Sequence, residues 1–335
     1  MLQGWRIRSL FVLLLLAATR LDSTRAFSAP TTLRRSFLRM DTEEPHHKYL
    51  VPNQIVANKR ILTIPTSVCP MEQAQSRVGM PWTSSIDPTL EEQDLLYMPF
   101  WKWQFDYMKE HLSNLKPLPV TNLNGTIDFS YQSNEEKQTR MVNLCFQSDE
   151  YRKIRMTYYD AGKKTQVFNS LWYPRSNLPL LGIDLLQFNG KKHLAVVDFQ
   201  PLHHDEDQHD ATYSHLLQPI QSQFPSLQGK MSKRFYDESQ FFSQHMLFSR
   251  FEDKAVVDND LFPAFEHYVR THVDLTKMNA KKAEIPWSRH VAYDVYSAQR
   301  DPATHLFETM FGKAWADAFV EEFLFDLCRQ EPPGI

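Results

Sequence analysis

One acidic residue, Asp184, lies in the middle of an otherwise apolar stretch, LPLLGIDLLQF. Burial disfavours the charged form of a carboxyl group, so we expect the pKa of Asp184 to rise until the side chain can hold a proton near neutral pH. A proton donor needs that property. A structural aspartate bonded to a backbone donor is the alternative, and the sequence leaves both readings open.

Two further polar residues are candidates to act with this acid. Asn169 interrupts the apolar run VFNSLWY, where its amide is either a satisfied core group or a contact for a polar ligand. Asp301 stands directly before Pro302, a pattern that predicts a helix N-cap with proline at the first helical position. A chemical role for Asp301 requires that helix end to face a pocket.

Metal and thiol chemistry find little support. The segment HHDEDQHD at 203–210 contains many ligand types, but their crowding without histidines spaced four apart on a helix favours a solvated loop, and we expect no metal. Cys69, Cys145 and Cys328 are far apart, which excludes a Cys-x-x-Cys pair and a disulfide framework and favours a reducing compartment. No His-Glu-x-x-His or Gly-x-Ser-x-Gly motif is present.

Glycine usage and charge exclude two further classes of protein. The 335 residues include 9 glycines, where average usage would give about 23. No glycine-rich Rossmann or P-loop motif exists, so nucleotide cofactors held in that way are excluded. The net charge is −3, and residues 1–40 hold seven arginines and one acid, so the rest of the chain is more acidic still. This charge argues against a nucleic-acid partner.

The first 40 residues resemble two targeting segments in series. Arg6 and Arg8 precede the apolar run Leu10–Ala18, which is too short to span a bilayer and predicts a signal peptide over 1–26. Residues 27–40 are rich in Arg, Ser and Thr without an acid, which is typical of a transit peptide. This order resembles the leaders of proteins imported into the stroma of complex plastids and predicts a mature form without a membrane span. Secretion is the alternative.

The remaining chain divides into an irregular, proline-scattered extension over 41–90 and an ordered domain over 91–330. A helix is predicted over Glu91–Leu112, broken or kinked at Pro99. Alternation and turn residues predict six strands, at 126–132, 139–146, 152–159, 166–173, 181–188 and 193–199. Helices are predicted near 211–224, 236–250, 260–279, 287–299 and 303–328. Strands followed by helices indicate an α+β fold, an antiparallel meander covered by helices.

The dipeptide Asn189-Gly190 predicts a hairpin between the last two strands. A two-residue loop there would set Asp184 opposite Ala195 and turn Asp198 to the other face of the sheet, so that the two acids do not form a pair. The residues then predicted to share the face of Asp184 are Leu186, Phe188, His193, Ala195 and Val197. Four of these, Leu186, Phe188, His193 and Val197, are with Asn169 our candidate ligand contacts.

Four lysines lie in turns that a meander places at one end of the sheet: Lys163, Lys164, Lys191 and Lys192. A local basic rim on an acidic body suits an acidic protein partner. Lysines that merely keep these turns soluble are the alternative.

Five ordered blocks between Glu91 and Cys328 resemble the ferredoxin-dependent bilin reductases, which reduce open-chain tetrapyrroles. The blocks are YRKIRMTYYDAGKKTQVFNSLWYP, LPLLGIDLLQF, LAVVDFQPL, FPSLQGKMSKRFYDESQFFS and YSAQRDPATHLFETMFGKAWADAFVEEFLF. The resemblance implies a three-layer α/β/α sandwich with a central antiparallel sheet flanked by helices, and a bilin held between the sheet and the C-terminal helices.

The same resemblance implies the chemistry. Asp184 matches the family's expected proton donor and Asp301 its second acidic group at the substrate. No flavin, nicotinamide or metal is implied, because a reduced [2Fe-2S] ferredoxin supplies the electrons from outside, and the basic rim would be its docking site. Thr157 and Asn169 stand where the phycocyanobilin-forming branch has Glu and His, which argues against phycocyanobilin synthesis.

The amino-acid sequences of three blocks, DAGKKTQVFNSLWYP, GIDLLQF and VVDFQPL, most resemble one branch of the family. That branch reduces biliverdin IXα at the C15=C16 methine bridge to 15,16-dihydrobiliverdin. A second-step reductase, which converts 15,16-dihydrobiliverdin to phycoerythrobilin, shares the fold and both acids. A bilin carrier or lyase without redox activity is the alternative from another class. The resemblance also leaves open a transfer of product to the next bilin reductase.

Overall fold

An antiparallel sheet of eight strands forms the centre of the fold. The computed structural model describes residues 86, 95–202, 206–229, 241–279, 285–301 and 303–330. The predicted leader over 1–40 and nearly all of the predicted extension over 41–90 lie outside the described residues.

The strands follow one another as a meander. They are β1 Lys116–Pro117, β2 Tyr131–Asn134, β3 Thr139–Gln147, β4 Tyr151–Asp160, β5 Thr165–Pro174, β6 Leu180–Phe188, β7 Lys192–Gln200 and β8 Leu247–Phe251. Their order in the sheet is β1-β3-β4-β5-β6-β7-β8, and β2 also pairs with β3. Strands β4 to β7 are buried on both faces. Strands β5 to β7 are accordingly rich in apolar and aromatic residues, whereas β4 also carries the buried polar residues Lys153, Arg155 and Thr157.

In the described part of the chain, six helices cover the two faces of this sheet. They are α1 Met98–His111, α2 Glu206–Gln223, α3 Phe262–Met278, α4 Trp287–Arg300, α5 Ala303–Phe311 and α6 Lys313–Ala318. A π-helical turn, Val257–Leu261, leads into α3, and a second one, Phe319–Leu324, continues α6.

Each face of the sheet carries its own apolar core. On one face Phe168 and Ile183 pack with residues of α1, α2 and α3. On the other face Leu171 and Leu186 pack with residues of α4, α5, α6 and the C-terminal turn. The predicted α/β/α sandwich with an antiparallel centre is therefore confirmed.

Several predicted boundaries differ from those observed. Helix α1 begins at Met98, because Pro99 suits the first turn of a helix and not its interior. The helix predicted over 236–250 is wrong where the chain is described: Leu247–Phe251 is a strand that pairs with the edge of β7, so tertiary pairing overrides local propensity. The long helix predicted over 303–328 is interrupted at Gly312, whose φ of 95° no helix accommodates.

The hairpin between β6 and β7 corrects the predicted register by one residue. Phe188 pairs with Lys192, so the loop has three residues, and Asn189 and Gly190 both have positive φ. Asp184 consequently lies opposite Val196 and not opposite Ala195. A slip of one residue turns every side chain of the partner strand to the other face.

Buried polar contacts attach the C-terminal layer to the sheet. The Lys153 ammonium on β4 donates to the Phe323 carbonyl at 2.5 Å and to the Asp326 carboxylate at 2.6 Å. The Asp294 carboxylate on α4 accepts from the Tyr173 hydroxyl at 2.7 Å and from the Leu327 backbone N–H at 3.1 Å. These contacts fix α4 and the chain terminus in position over β4 and β5.

Candidate active site

The central strands are closed by the helical layers except at one point. Asp184 is the one residue of β6 that is only partly buried, and Asn169 is the one interior residue of β5 that is only partly buried. The two are paired directly across neighbouring strands, on the face covered by α4 to α6. The sheet is therefore accessible where its two mid-strand polar side chains meet.

A row of four polar side chains crosses strands β3 to β6 at this point: Asn143, Thr157, Asn169 and Asp184 are cross-strand partners in sequence. The Thr157 hydroxyl donates to the Asn143 side-chain oxygen at 2.6 Å, and the Asn143 amide donates to the Phe129 carbonyl at 2.6 Å. The Asn169 amide donates to Oδ1 of Asp184. The row ends on the carboxyl group that the sequence singled out.

Arg155 on β4 joins this row and was missed from the sequence. Its guanidinium Nη1 donates to Oδ1 of Asn169, while its Nε–H has no hydrogen-bond partner among the described residues. The guanidinium carbon lies 5.5 Å from the centre of the Phe325 ring. Alternation along KIRMTY was an available signal, because Lys153, Arg155 and Thr157 occupy one face of the strand.

Asp301 approaches from the helical layer. It follows α4, and its Oδ1 accepts a hydrogen bond of 2.8 Å from the Ala303 backbone N–H at the start of α5, so the predicted N-cap is confirmed. Asp301 lies within electrostatic range of Asp184, and its charge raises the pKa of that carboxyl. The structure thus brings together both acids that the sequence selected.

Burial raises the pKa of Asp184 to about 7, against the opposing effects of the Asn169 hydrogen bond and the Arg155 charge. Burial likewise raises the pKa of Asp301 to about 6, opposed by the Ala303 N–H and by Arg155. Each carboxyl therefore holds a proton at higher pH than an exposed aspartate does. The arrangement suits proton transfer to a bound group in weakly acidic or neutral solution.

Asp198 lies on the same face as Asp184, which corrects the prediction that it points away. It pairs with Gly182, and its carboxylate accepts from the backbone N–H of Ser243 at 3.0 Å and from the Ser243 hydroxyl. Burial raises its pKa to about 7. These two hydrogen bonds attach the segment at Ser243 to β7.

The predicted apolar contacts divide between the two faces. Leu186 and Phe188 lie in the core on the Asp184 side, as predicted. The placement of His193 and Val197 beside them is wrong, because the three-residue loop turns both to the opposite face. There Val197 joins the other core, and the His193 ring stacks on Phe251 at 5.0 Å between ring centres.

The two lysine-bearing turns lie side by side, as the meander predicted. The Asn189 backbone N–H donates to the Lys164 carbonyl at 3.0 Å, which joins the β6–β7 turn to the β4–β5 turn. Lys163, Lys164 and Lys191 are exposed and Lys192 is partly buried. The rim is therefore a single surface at one end of the sheet.

Among the described residues, no group of three or more His, Cys, Asp or Glu side chains is arranged to hold a metal ion. In the segment 203–210, Asp210 contacts the His245 ring and His209 packs 4.8 Å from the Tyr213 ring. None of the helices in the described part of the chain combines the length and apolar character that a membrane span requires.

The sequence model of the ferredoxin-dependent bilin reductases matches residues 106–326. The chain therefore belongs to this family of oxidoreductases, and its activity is ferredoxin-dependent bilin reduction. The family match confirms the resemblance seen in the five sequence blocks.

The alignments with individual relatives cover most of the length of each relative. A protein of Nostoc punctiforme named 15,16-dihydrobiliverdin:ferredoxin oxidoreductase is 37% identical over 238 residues, 69% of this chain and 95% of the relative. A protein of the same name from Gloeobacter violaceus is 35% identical over 238 residues, with the same shares. One from Prochlorococcus marinus is 40% identical over 201 residues, 57% of this chain and 80% of the relative.

The fold also matches a solved structure, phytochromobilin synthase from tomato in complex with biliverdin. The TM-score is 0.58 at 20% sequence identity, and the match covers 70% of this chain and 84% of that chain. At this identity the comparison concerns the fold alone.

Proposed function

We propose that the chain reduces biliverdin IXα at the C15=C16 methine bridge to 15,16-dihydrobiliverdin, with reduced ferredoxin as electron donor and no bound cofactor. The name shared by the relatives supports this reaction, and so does the resemblance of the three sequence blocks to that branch of the family. The observation that carries reduction at this site is the Asn169–Asp184 pair, which places a partly exposed, protonatable carboxyl group in the centre of the sheet.

The reaction adds two electrons and two protons to one carbon–carbon double bond. Two ferredoxins each lose one electron, so the bilin holds an unpaired electron between the two transfers. Protonation makes each electron addition easier, because it removes negative charge from the reduced bilin. A carboxyl that burial keeps neutral can supply that proton, and it regains one from solvent after turnover.

Product identification tests this function directly. Biliverdin IXα and 15,16-dihydrobiliverdin are incubated separately with the full chain and reduced ferredoxin, and the bilins are separated by chromatography. We expect biliverdin to give 15,16-dihydrobiliverdin and the second substrate to remain unchanged. Consumption of 15,16-dihydrobiliverdin alone would assign the second step. Binding of biliverdin without any spectral change under reduction would instead indicate a carrier.

We further propose that Asp184 is the proton donor and Asp301 the second acid at the substrate. Asp184→Asn keeps the size and one donor of the side chain but removes the transferable proton. We expect this variant to bind biliverdin, accept the first electron and accumulate a bilin radical, with turnover reduced about a hundredfold or more. Absorption and electron paramagnetic resonance spectra during reduction measure both. Full turnover by Asp184→Asn would remove Asp184 from this role.

We also propose that ferredoxin docks on the basic rim formed by Lys163, Lys164, Lys191 and Lys192. The rim is one continuous surface on an otherwise acidic chain, and complementary charge steers protein association.

Replacing the four rim lysines with Glu should raise the ferredoxin concentration needed for half-maximal rate by about tenfold or more and weaken its dependence on salt. Lys164→Glu and Lys116→Glu form a matched pair, because Lys116 is an exposed lysine at the opposite end of the sheet. Steady-state rates at two ionic strengths measure the effect. Equal losses in the two single variants would contradict docking at the rim.

We also propose a cellular location from the first 40 residues. Residues 1–26 direct the chain into the secretory pathway, and residues 27–40 direct it onward into the stroma of a complex plastid. Residues 1–40 fused to a fluorescent protein should accumulate in the plastid of an alga with such an organelle. The same fusion without residues 27–40 should stop outside the stroma. Secretion of the complete fusion would contradict the proposal.

A further inference from the structure

The side-chain amide of Asn169 lies between a cation and a carboxyl group. An amide has one end that accepts hydrogen bonds and one end that donates them, and either end can face a given neighbour. Here the oxygen faces Arg155 and the nitrogen faces Asp184. The order of the three groups across β4, β5 and β6 decides whether the amide presents its NH₂ group or its oxygen to Asp184.

We propose that Arg155 is a positioning residue that fixes the orientation of the Asn169 amide, so that Oδ1 of Asp184 stays an acceptor and its transferable proton is carried on Oδ2. This inference rests on the proposed function of Asp184 as proton donor.

The chemistry of arginine makes this orientation the favoured one. A guanidinium has N–H donors and no acceptor, and it remains charged in proteins, so it bonds the oxygen of Asn169 and not the NH₂ group. The NH₂ group then faces Asp184 and donates to Oδ1. In a carboxylic acid the carbonyl oxygen is the better acceptor, so the hydroxyl proton sits on the other oxygen, Oδ2.

The position of Arg155 is itself well determined. Its backbone pairs with Cys145 on β3 and Leu171 on β5, and its side chain is 5% exposed. The guanidinium also lies over the Phe325 ring of the C-terminal layer. Because Arg155 is fixed by its strand and by the Phe325 ring, its guanidinium can fix the orientation of the Asn169 amide.

The groups that act on Asp184 from the two layers are few. From the sheet, Arg155 and Asn169 both favour its carboxylate. From the helical layer, Asp301 favours the neutral acid. Tyr293 on α4 also lies within electrostatic range, and its hydroxyl donates to the Gln200 side-chain oxygen at 2.8 Å. Among these groups, Arg155 carries the one positive charge.

Removal of Arg155 changes the titration of Asp184 in a defined direction. Arg155→Met keeps much of the length of the side chain and removes the charge, so an influence that lowers the pKa of Asp184 is lost. The released amide can also turn its oxygen toward Asp184 and accept from the carboxyl O–H, which stabilises the neutral acid. Both effects raise the pKa of Asp184 above that in the unaltered chain.

An infrared pH titration of the bilin-free full chain measures this. The carbonyl stretch of protonated Asp184 is assigned by subtracting the spectra of Asp184→Asn. We expect Arg155→Met to raise the midpoint by about one pH unit or more, and Arg155→Lys, which restores a charged donor, to recover part of the shift. The band frequency should also change in Arg155→Met, because the carbonyl oxygen loses its hydrogen bond from the Asn169 amide and the O–H donates to that amide instead. Arg250→Met, at an exposed arginine on the edge strand, is the control and should shift neither.

An unchanged midpoint and band in Arg155→Met would overturn the proposal. If that variant does not fold, Asn169→Leu removes the same link without touching the arginine, and an unchanged band there has the same meaning. The titration contains no bilin and no ferredoxin, so it is independent of turnover. Failure of Asp184 as the proton donor would appear in the activity of Asp184→Asn and leave the titration result intact.

Discussion

The acidic site depends on the attachment of one layer of the sandwich to another. Asp184 belongs to the sheet and Asp301 to the junction between α4 and α5, so neither strand pairing nor helix formation alone brings them together. The buried contacts of Lys153 with the C-terminal turn and of Asp294 with Tyr173 set the distance between the layers. The ion pair Lys153–Asp326 combines a buried ammonium with a partly exposed carboxylate, and loss of one partner of such a pair leaves the other charge poorly compensated. Its role here is to fix relative position.

The electrostatics of the site balance two opposed effects. Burial alone raises the pKa of a carboxyl until the group is permanently neutral, and such an acid does not release its proton readily. Arg155 and the Asn169 amide oppose burial at Asp184, and the Ala303 N–H opposes it at Asp301. The outcome is a pair of acids whose pKa values are raised to about 7 and about 6. A general acid is most efficient when its pKa lies near the operating pH. The Arg155 guanidinium acts on both carboxyls, so the titration of neither is explained without it.

Local signals such as alternation, a turn dipeptide or an acid in an apolar run identified an antiparallel meander covered by helices, five of the eight described strands and both acids. The three-layer α/β/α arrangement was implied by the family resemblance. Prediction from local signals failed where the outcome depends on partners remote in sequence. Strand β8 forms because the edge of β7 is available to it, which no property of Leu247–Phe251 reveals. The faces on which His193 and Asp198 lie depend on whether the β6–β7 loop has two or three residues. The dipeptide Asn189-Gly190 predicts that a hairpin forms more reliably than it predicts the length of the loop. Arg155 was missed because its role depends on a hydrogen bond to Asn169, which lies on the neighbouring strand β5.

The turn at Asn189–Lys191 belongs to two parts of the protein at once. It carries a lysine of the basic rim on the outside, and by its length it decides which residues of β7 face the acids inside. Charge on this turn can change without consequence for the interior, whereas the number of residues cannot, because a deletion of one would exchange the two faces of β7. The charge that this turn shows to solvent and the faces of β7 are therefore set by different properties of the same three residues, their type and their number. A variant can carry a different charge at Lys191, whereas it has to keep three residues in the loop.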